Sequence, residues 1–146
     1  MRGHRSIQIS AEADFPSVRL LAAACSGVLE EWGLPAERRA LLELAVVEAA
    51  TNVVRHAYGG RGGRVALEIA GDGDGLAVTV VDSGVPFDPT RVPSPPEPDP
   101  ADPATWPEGG MGLPIIRASC DELLYRSEGG RNRLTLRLRL ALSEAP

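Results

Sequence analysis

The sequence predicts an α+β domain, a two-layer α/β sandwich in which a mixed, mostly antiparallel sheet is covered on one face by helices. Three observations carry that expectation. Two strongly helical stretches dominate the first half of the chain, and two pairs of alternating apolar runs follow, each pair folded about a glycine-rich turn. The third is scale. A chain of 146 residues with 43% hydrophobic and 24% charged side chains makes one folded domain, residues 1–146, that buries roughly two-thirds of its extended surface. Aromatic residues are scarce at 4%, so the core is aliphatic.

Along the chain, Ile7 and Ile9 alternate with polar neighbours over residues 5 to 11 and read as a short strand. Phe15 to Trp32 (FPSVRLLAAACSGVLEEW) reads as a helix ended by Gly33. Pro35 opens the next helix, AERRALLELAVVEAATNVVRHAY from Ala36 to about Tyr58, which consists of good helix formers and stops at Gly59-Gly60. RVALEIA and LAVTVVD then flank GDGDG as an antiparallel hairpin.

The stretch from Val85 to Pro107 holds most of the prolines, with Asp and Glu among them, so it is neither helix nor central strand. A loop beyond ~15 residues in a compact domain is usually a functional lid or a disordered segment. GGMGLPIIRAS follows as a glycine turn opening a short helix. DELLYRS and RLTLRLRLAL close the chain as a second hairpin about Gly129-Gly130, with Leu134, Leu136, Leu138 and Leu140 facing inward.

A formal net charge of -5 opposes direct nucleic-acid binding, which needs a basic face to neutralise phosphates. The basic cluster RNRLTLRLR alternates as one face of a strand does. Cys25 and Cys120 lie in apolar segments without metal-ligand spacing and read as buried thiols, which suits a reducing compartment. The start MRGHRSIQIS lacks the apolar stretch of a signal peptide, and the longest apolar run, LLAAAC, falls far short of the ~20 residues that span a bilayer. A cytoplasmic protein with no membrane partner is expected.

On the long helix, Leu42, Val46, Ala49, Val53 and Ala57 form one apolar stripe and Leu41, Leu44 and Ala45 extend another. Glu48, Asn52 and His56 interrupt it. Their spacing of four sets them on one face at successive turns. A buried glutamate is costly unless paired, hydrogen-bonded or near a metal, and a bond between Glu48 and Asn52 or nearby backbone would also satisfy it.

Asp82 ends a strand and is followed by Ser83-Gly84, where glycine permits close backbone approach to a ligand and the carboxylate can accept from an exocyclic amine. Gly109, Gly110 and Gly112 precede a helix whose start can offer backbone N–H groups to phosphate oxygens. Each of these motifs, taken alone, is equally an ordinary turn.

The dinucleotide fingerprint is excluded, because Gly110-Met-Gly112-Leu-Pro-Ile has no third glycine and follows a proline loop rather than a strand. The Walker-type phosphate loop fails for want of Gly-Lys-Ser/Thr. GDGDG begins like a calcium loop but lacks the ligand at the twelfth position, and a hairpin turn explains it.

Taken together, E-x-x-x-N on a helix, D-x-G after a strand, a long lid and G-x-G opening a helix resemble the GHKL ATPase superfamily, to which gyrase, histidine kinases and MutL belong. EAATNVVRHAY, VVDSGVPFDP and GGMGLPII look like the three motifs of its small anti-sigma-factor serine kinases. The resemblance spans essentially the whole chain and implies one histidine-kinase-like ATPase domain of the Bergerat-type fold, with a proline-rich ATP lid at about 85–109.

It also implies a role for each matching residue. Asn52 would coordinate Mg²⁺, Glu48 would be the general base, Asp82 would accept from the adenine amino group, and Gly84 would let the base approach. Gly110, Met111, Gly112 and Leu113 would flank the phosphates, Thr135 matches a threonine near adenine, and Arg55 and His56 would support the site or touch phosphate. The lid departs from the family pattern, since no Arg or Lys directly precedes the glycines, which would either slow turnover or shift a cationic phosphate contact to Arg91 or Arg117.

By this resemblance the chain is an anti-sigma factor and Mg-ATP-dependent protein-serine kinase that sequesters a sigma factor and phosphorylates an anti-anti-sigma antagonist, with a homodimer as a possible assembly. A regulatory module that binds ATP without kinase activity is the alternative, motivated by the missing basic residue. A histidine-kinase catalytic fragment would need a phosphoacceptor histidine on a dimerisation helix, yet the only histidines are His4 in the N-terminal tail and His56 inside the motif.

Overall fold

The computed structural model describes residues 4–91, 99–105 and 112–140. The chain runs β1 (Arg5–Glu12), α1 (Phe15–Glu31), α2 (Ala36–Asn52), a π-helical turn (Val53–Ala57), β2 (Arg64–Gly71), β3 (Gly75–Asp82), α3 (Gly112–Ser119), β4 (Glu122–Glu128) and β5 (Arg131–Arg139). Two short 3-10 turns, Pro89–Arg91 and Pro103–Thr105, interrupt the proline-rich loop. The five strands form one sheet in the order β1-β2-β3-β5-β4, and every pairing is antiparallel. The α+β expectation holds, and the sheet contains no parallel pair.

Local chemistry accounts for the element ends. Asp14 caps α1 by accepting from the Ser17 N–H at 2.8 Å, and Pro16 occupies the first turn, where its missing N–H costs nothing. Gly59 and Gly60 adopt φ of 57° and 75°, left-handed values that stop the helix as their sequence predicts. Period-two alternation buries Val65, Leu67 and Ile69 of β2, Val78 and Val80 of β3 and Leu134, Leu136 and Leu138 of β5 on one sheet face. Leu140 is half-buried.

The helices cover that face. Leu42, Ala45, Val46, Ala49 and Ala50 line the buried side of α2, which packs against both α1 and α3. Of the second apolar stripe read along this helix, Ala45 is buried and Leu41 half-buried, while Leu44 is 46% exposed.

The long helix is not α-helical to its end. After Asn52 it widens into a π-turn, with the Tyr58 N–H donating to the Val53 carbonyl at 3.0 Å. Such turns are rare and recur at functional sites. This one changes the angular step along the helix and turns His56 away from the line through Glu48 and Asn52; His56 is exposed, whereas the other two are half-buried.

On the opposite sheet face Arg131, Arg133, Arg137 and Arg139 of β5 alternate outward. Arg133 pairs with Glu68 of β2, reaching across β3, and Arg137 with Glu122 of β4 at 3.5 Å, so acidic residues on the same face partly neutralise the basic cluster. Cys25 is buried and Cys120 half-buried, both as free thiols. Among the described residues no helix is long and apolar enough to cross a membrane.

Candidate functional site

The site lies where the π-turn, the end of β3 and the start of the proline-rich loop meet. Asp82 is the last residue of β3 and is 8% exposed. Its Oδ1 accepts from the Gly84 N–H at 2.9 Å and from Asn132 Nδ2 at 2.7 Å. Gly84 is required for space: a Cβ there would fall inside contact distance of the Ala57 carbonyl, a backbone group that cannot yield cheaply. The same carbonyl accepts from the Val85 N–H at 2.8 Å. The Tyr58 hydroxyl completes the clamp by accepting from the Ser83 N–H at 2.9 Å and donating to the Arg64 carbonyl at 2.7 Å.

A cleft opens in front of Asp82. It is lined by Asn52, Val80, Phe87, Tyr125 and Leu134 among others, so the helix and strand motifs reach one volume. Phe87 lies across it as a flap. The Phe87 N–H donates to the Tyr125 hydroxyl at 3.1 Å, and its ring stacks on His56 with centroids 4.3 Å apart and planes 21° from parallel. Burial holds the Tyr125 phenol above its ordinary pKa, and the Asp82 and Asp88 carboxylates act in the same direction, so it stays a neutral hydroxyl.

The cavity is only about 20 Å³, room for roughly one water. With Phe87 and Pro89 where they stand, it is too small for a planar heterocycle. Its polar fittings nonetheless suit a nucleotide: the Asp82 carboxylate as an acceptor and the Asn52 amide.

Glu48 sits at the other end of the site. A Cβ on Gly112, the first residue of α3, would lie 2.8 Å from Glu48 Oε2, so glycine lets the α3 start meet this carboxylate. Leu113 is buried and can offer a ligand only its backbone. Gly109, Gly110 and Met111 lie outside the described residues.

The cations nominated for phosphate hold the base of the loop instead. Asp88 Oδ1 accepts from the Thr90 N–H at 2.9 Å and its Oδ2 pairs with Arg91 Nε at 3.4 Å, while Arg117 Nη2 donates to the Thr90 carbonyl at 3.1 Å.

Two expected site residues stand elsewhere. Thr135 is on the opposite face of the sheet, its hydroxyl 3.0 Å from that of Thr79. The alternation that turns Leu134 and Leu136 inward necessarily turns Thr135 outward. Arg55 does not line the cleft; its guanidinium lies over the Phe15 ring, 5.7 Å from the centroid, because its place on the π-turn directs it toward the start of α1.

Asn132 is the residue that sequence reasoning missed. It shares the inward parity of Leu134 and is paired with Asp82 across β5 and β3. That parity was a usable signal. The strand pairing that gave it meaning was not visible along the chain.

The family described as Histidine kinase-like ATPase domain matches residues 9–145. A protein named Serine-protein kinase RsbW from Bacillus cereus strain Q1 is 30% identical over 126 residues, which are 85% of this chain and 78% of that one. One of the same name from Bacillus anthracis is 29% identical over the same shares. Among solved structures, the RsbU and RsbW domains of Rv1364c from Mycobacterium tuberculosis superpose with a TM-score of 0.64 at 21% identity, a likeness of fold. That alignment covers 93% of this chain and 32% of the other, so this chain spans about a third of its length.

Proposed function

The chain belongs to the histidine kinase-like ATPase domain family, and from that premise we propose that it is a Mg-ATP-dependent protein-serine kinase acting as a cytoplasmic anti-sigma factor. It would sequester a sigma factor and phosphorylate an anti-anti-sigma antagonist on serine. The observation that carries this reading is the convergence of Asn52 and Asp82 on one cleft while Glu48 meets the glycine that opens α3. The chain's relatives, named serine-protein kinases, support the reaction class.

In this reading Asp82 accepts from the exocyclic amine of adenine, Gly84 leaves room for the base, and the start of α3 faces the phosphates. The Asn52 side-chain oxygen would hold Mg²⁺, a hard cation suited to oxygen ligands. Bound there, the ion supplies positive charge that neutralises the phosphates. Glu48 takes the proton of the antagonist's serine hydroxyl as its oxygen bonds to the terminal phosphorus and the bond to the ADP oxygen breaks. The added charge on the antagonist then weakens its docking and makes partner choice follow phosphorylation state.

A second reading is a partner-binding module that uses ATP only to order the lid. The absence of an Arg or Lys directly before the glycines favours it. Incubation with labelled ATP and a candidate antagonist separates the two. Serine labelling is expected; ATP binding without any label would reject the kinase and leave the module.

A further inference from the structure

Asp82, Asn132 and Ser127 stand side by side on β3, β5 and β4, because the strand registers pair Asp82 with Asn132 and Asn132 with Ser127. Asn132 is 2% exposed, and both ends of its amide are used. Nδ2 donates to Asp82 Oδ1 at 2.7 Å and to the Gly84 carbonyl at 3.0 Å, while Oδ1 accepts from the Ser127 hydroxyl at 2.7 Å. The network fixes this orientation. A flipped amide would turn its carbonyl oxygen onto a carboxylate and a carbonyl, both acceptors.

The consequence falls on Asp82. Its Oδ1 takes two donors, Asn132 and the Gly84 N–H. Among the described residues none donates to Oδ2, and no buried side-chain oxygen there lacks a partner, so Oδ2 is open rather than sealed. Asp82 lines the cleft and Asn132 does not. One carboxylate oxygen is thus held by two donors, and the other is accessible with its lone pairs available.

We propose that Asn132 is a positioning residue for base selection, holding Asp82 so that Oδ2 faces the cleft as an acceptor. The site then takes a purine bearing an exocyclic amine and rejects one bearing a carbonyl at the same place. An amine N–H finds a partner on Oδ2, whereas a carbonyl oxygen sets lone pair against lone pair and leaves a buried acceptor unpaired. Ser127 acts one step further back by orienting the Asn132 amide. This inference rests on the nucleotide-binding reading above.

The test is the affinity of the full chain for ATP and for GTP with Mg²⁺, measured for wild type, Asn132→Leu, Asp82→Ala and the double variant. Wild type should prefer ATP by about a hundredfold, and Asn132→Leu should cut that preference about tenfold. In the Asp82→Ala background the same change should leave the ATP-to-GTP ratio where Asp82→Ala put it. Ser127→Ala, at an exposed position that tolerates truncation, should narrow the preference about threefold and decides the matter if Asn132→Leu does not fold.

An unchanged ratio in folded Asn132→Leu, or in Ser127→Ala where that variant decides, overturns the inference while ATP-selective binding by wild type keeps the parent reading. A loss of the same size with Asp82 absent also overturns it, because it marks a merely structural role. Wild type that binds neither nucleotide removes both together.

Discussion

At the scale of single residues, the proposed roles of Asn52 and Glu48 are separable. Asn52 lines the cleft and Glu48 does not; the carboxylate lies against the first residue of α3. Asn52→Ala should therefore abolish the Mg-dependent part of ATP affinity, which calorimetry with and without the ion reads directly, and normal Mg-dependent affinity would remove Asn52 from the assignment. Glu48→Gln keeps the shape but not the base, so ATP affinity should stay within about twofold of wild type while serine labelling falls by roughly 10²–10⁴. Both residues were legible in sequence because polar groups at spacing four interrupt an apolar helix. Thr135 was misassigned for a reason equally local: a residue between two inward leucines on a strand faces outward.

At the scale of elements, the π-turn and the Asp82 loop behave as one unit. Ala57 receives the Val85 N–H and leaves no room for a side chain at Gly84, while Tyr58 receives the Ser83 N–H. Gly84→Ala must push this loop off the π-turn. We expect a loss of about 1–3 kcal/mol in denaturant unfolding, together with weakened ATP binding because Asp82 shifts with the loop. Equal stability and affinity in the variant would show that the loop yields freely.

The same unit explains why a straight helix to Tyr58 was only partly right. Helix propensity marks these residues as helical without registering a π-turn, and the contacts with residues 83–85 are long-range in sequence. Opening of the Phe87 flap belongs to this scale too. It requires loss of the Tyr125 hydrogen bond and of the His56 stack.

For the whole molecule, the core links stability to pH through Cys25. Burial, reinforced by Glu43, pushes its thiol from 9.0 up to about 12. Below pH 9 the thiol is protonated in both folded and unfolded chains and contributes no pH dependence. Between about 9 and about 12 the unfolded chain loses its proton first, so stability falls as pH rises through that window. Denaturant melts of wild type and Cys25→Ala across pH 8 to 11 should show a steeper alkaline decline in wild type, and equal slopes would reject the assignment. A thiol reagent at pH 8 should label half-buried Cys120 well before Cys25, which becomes reactive on unfolding.

What the sequence determined by itself was everything governed by near neighbours along the chain. Alternation drew the strands, capping and glycine placement drew the helix ends, and residue type marked Glu48, Asn52, Asp82 and Gly84 as candidates. The tertiary structure decided what depends on strand order and register. It set β5 beside β3, which gives Asp82 its Asn132 partner and sends Thr135 to the far face. It also committed Arg91 and Arg117 to the base of the loop. The physical reason is that periodicity fixes which face a side chain takes within its own element. Only packing brings together groups fifty residues apart, as Asp82 and Asn132 are.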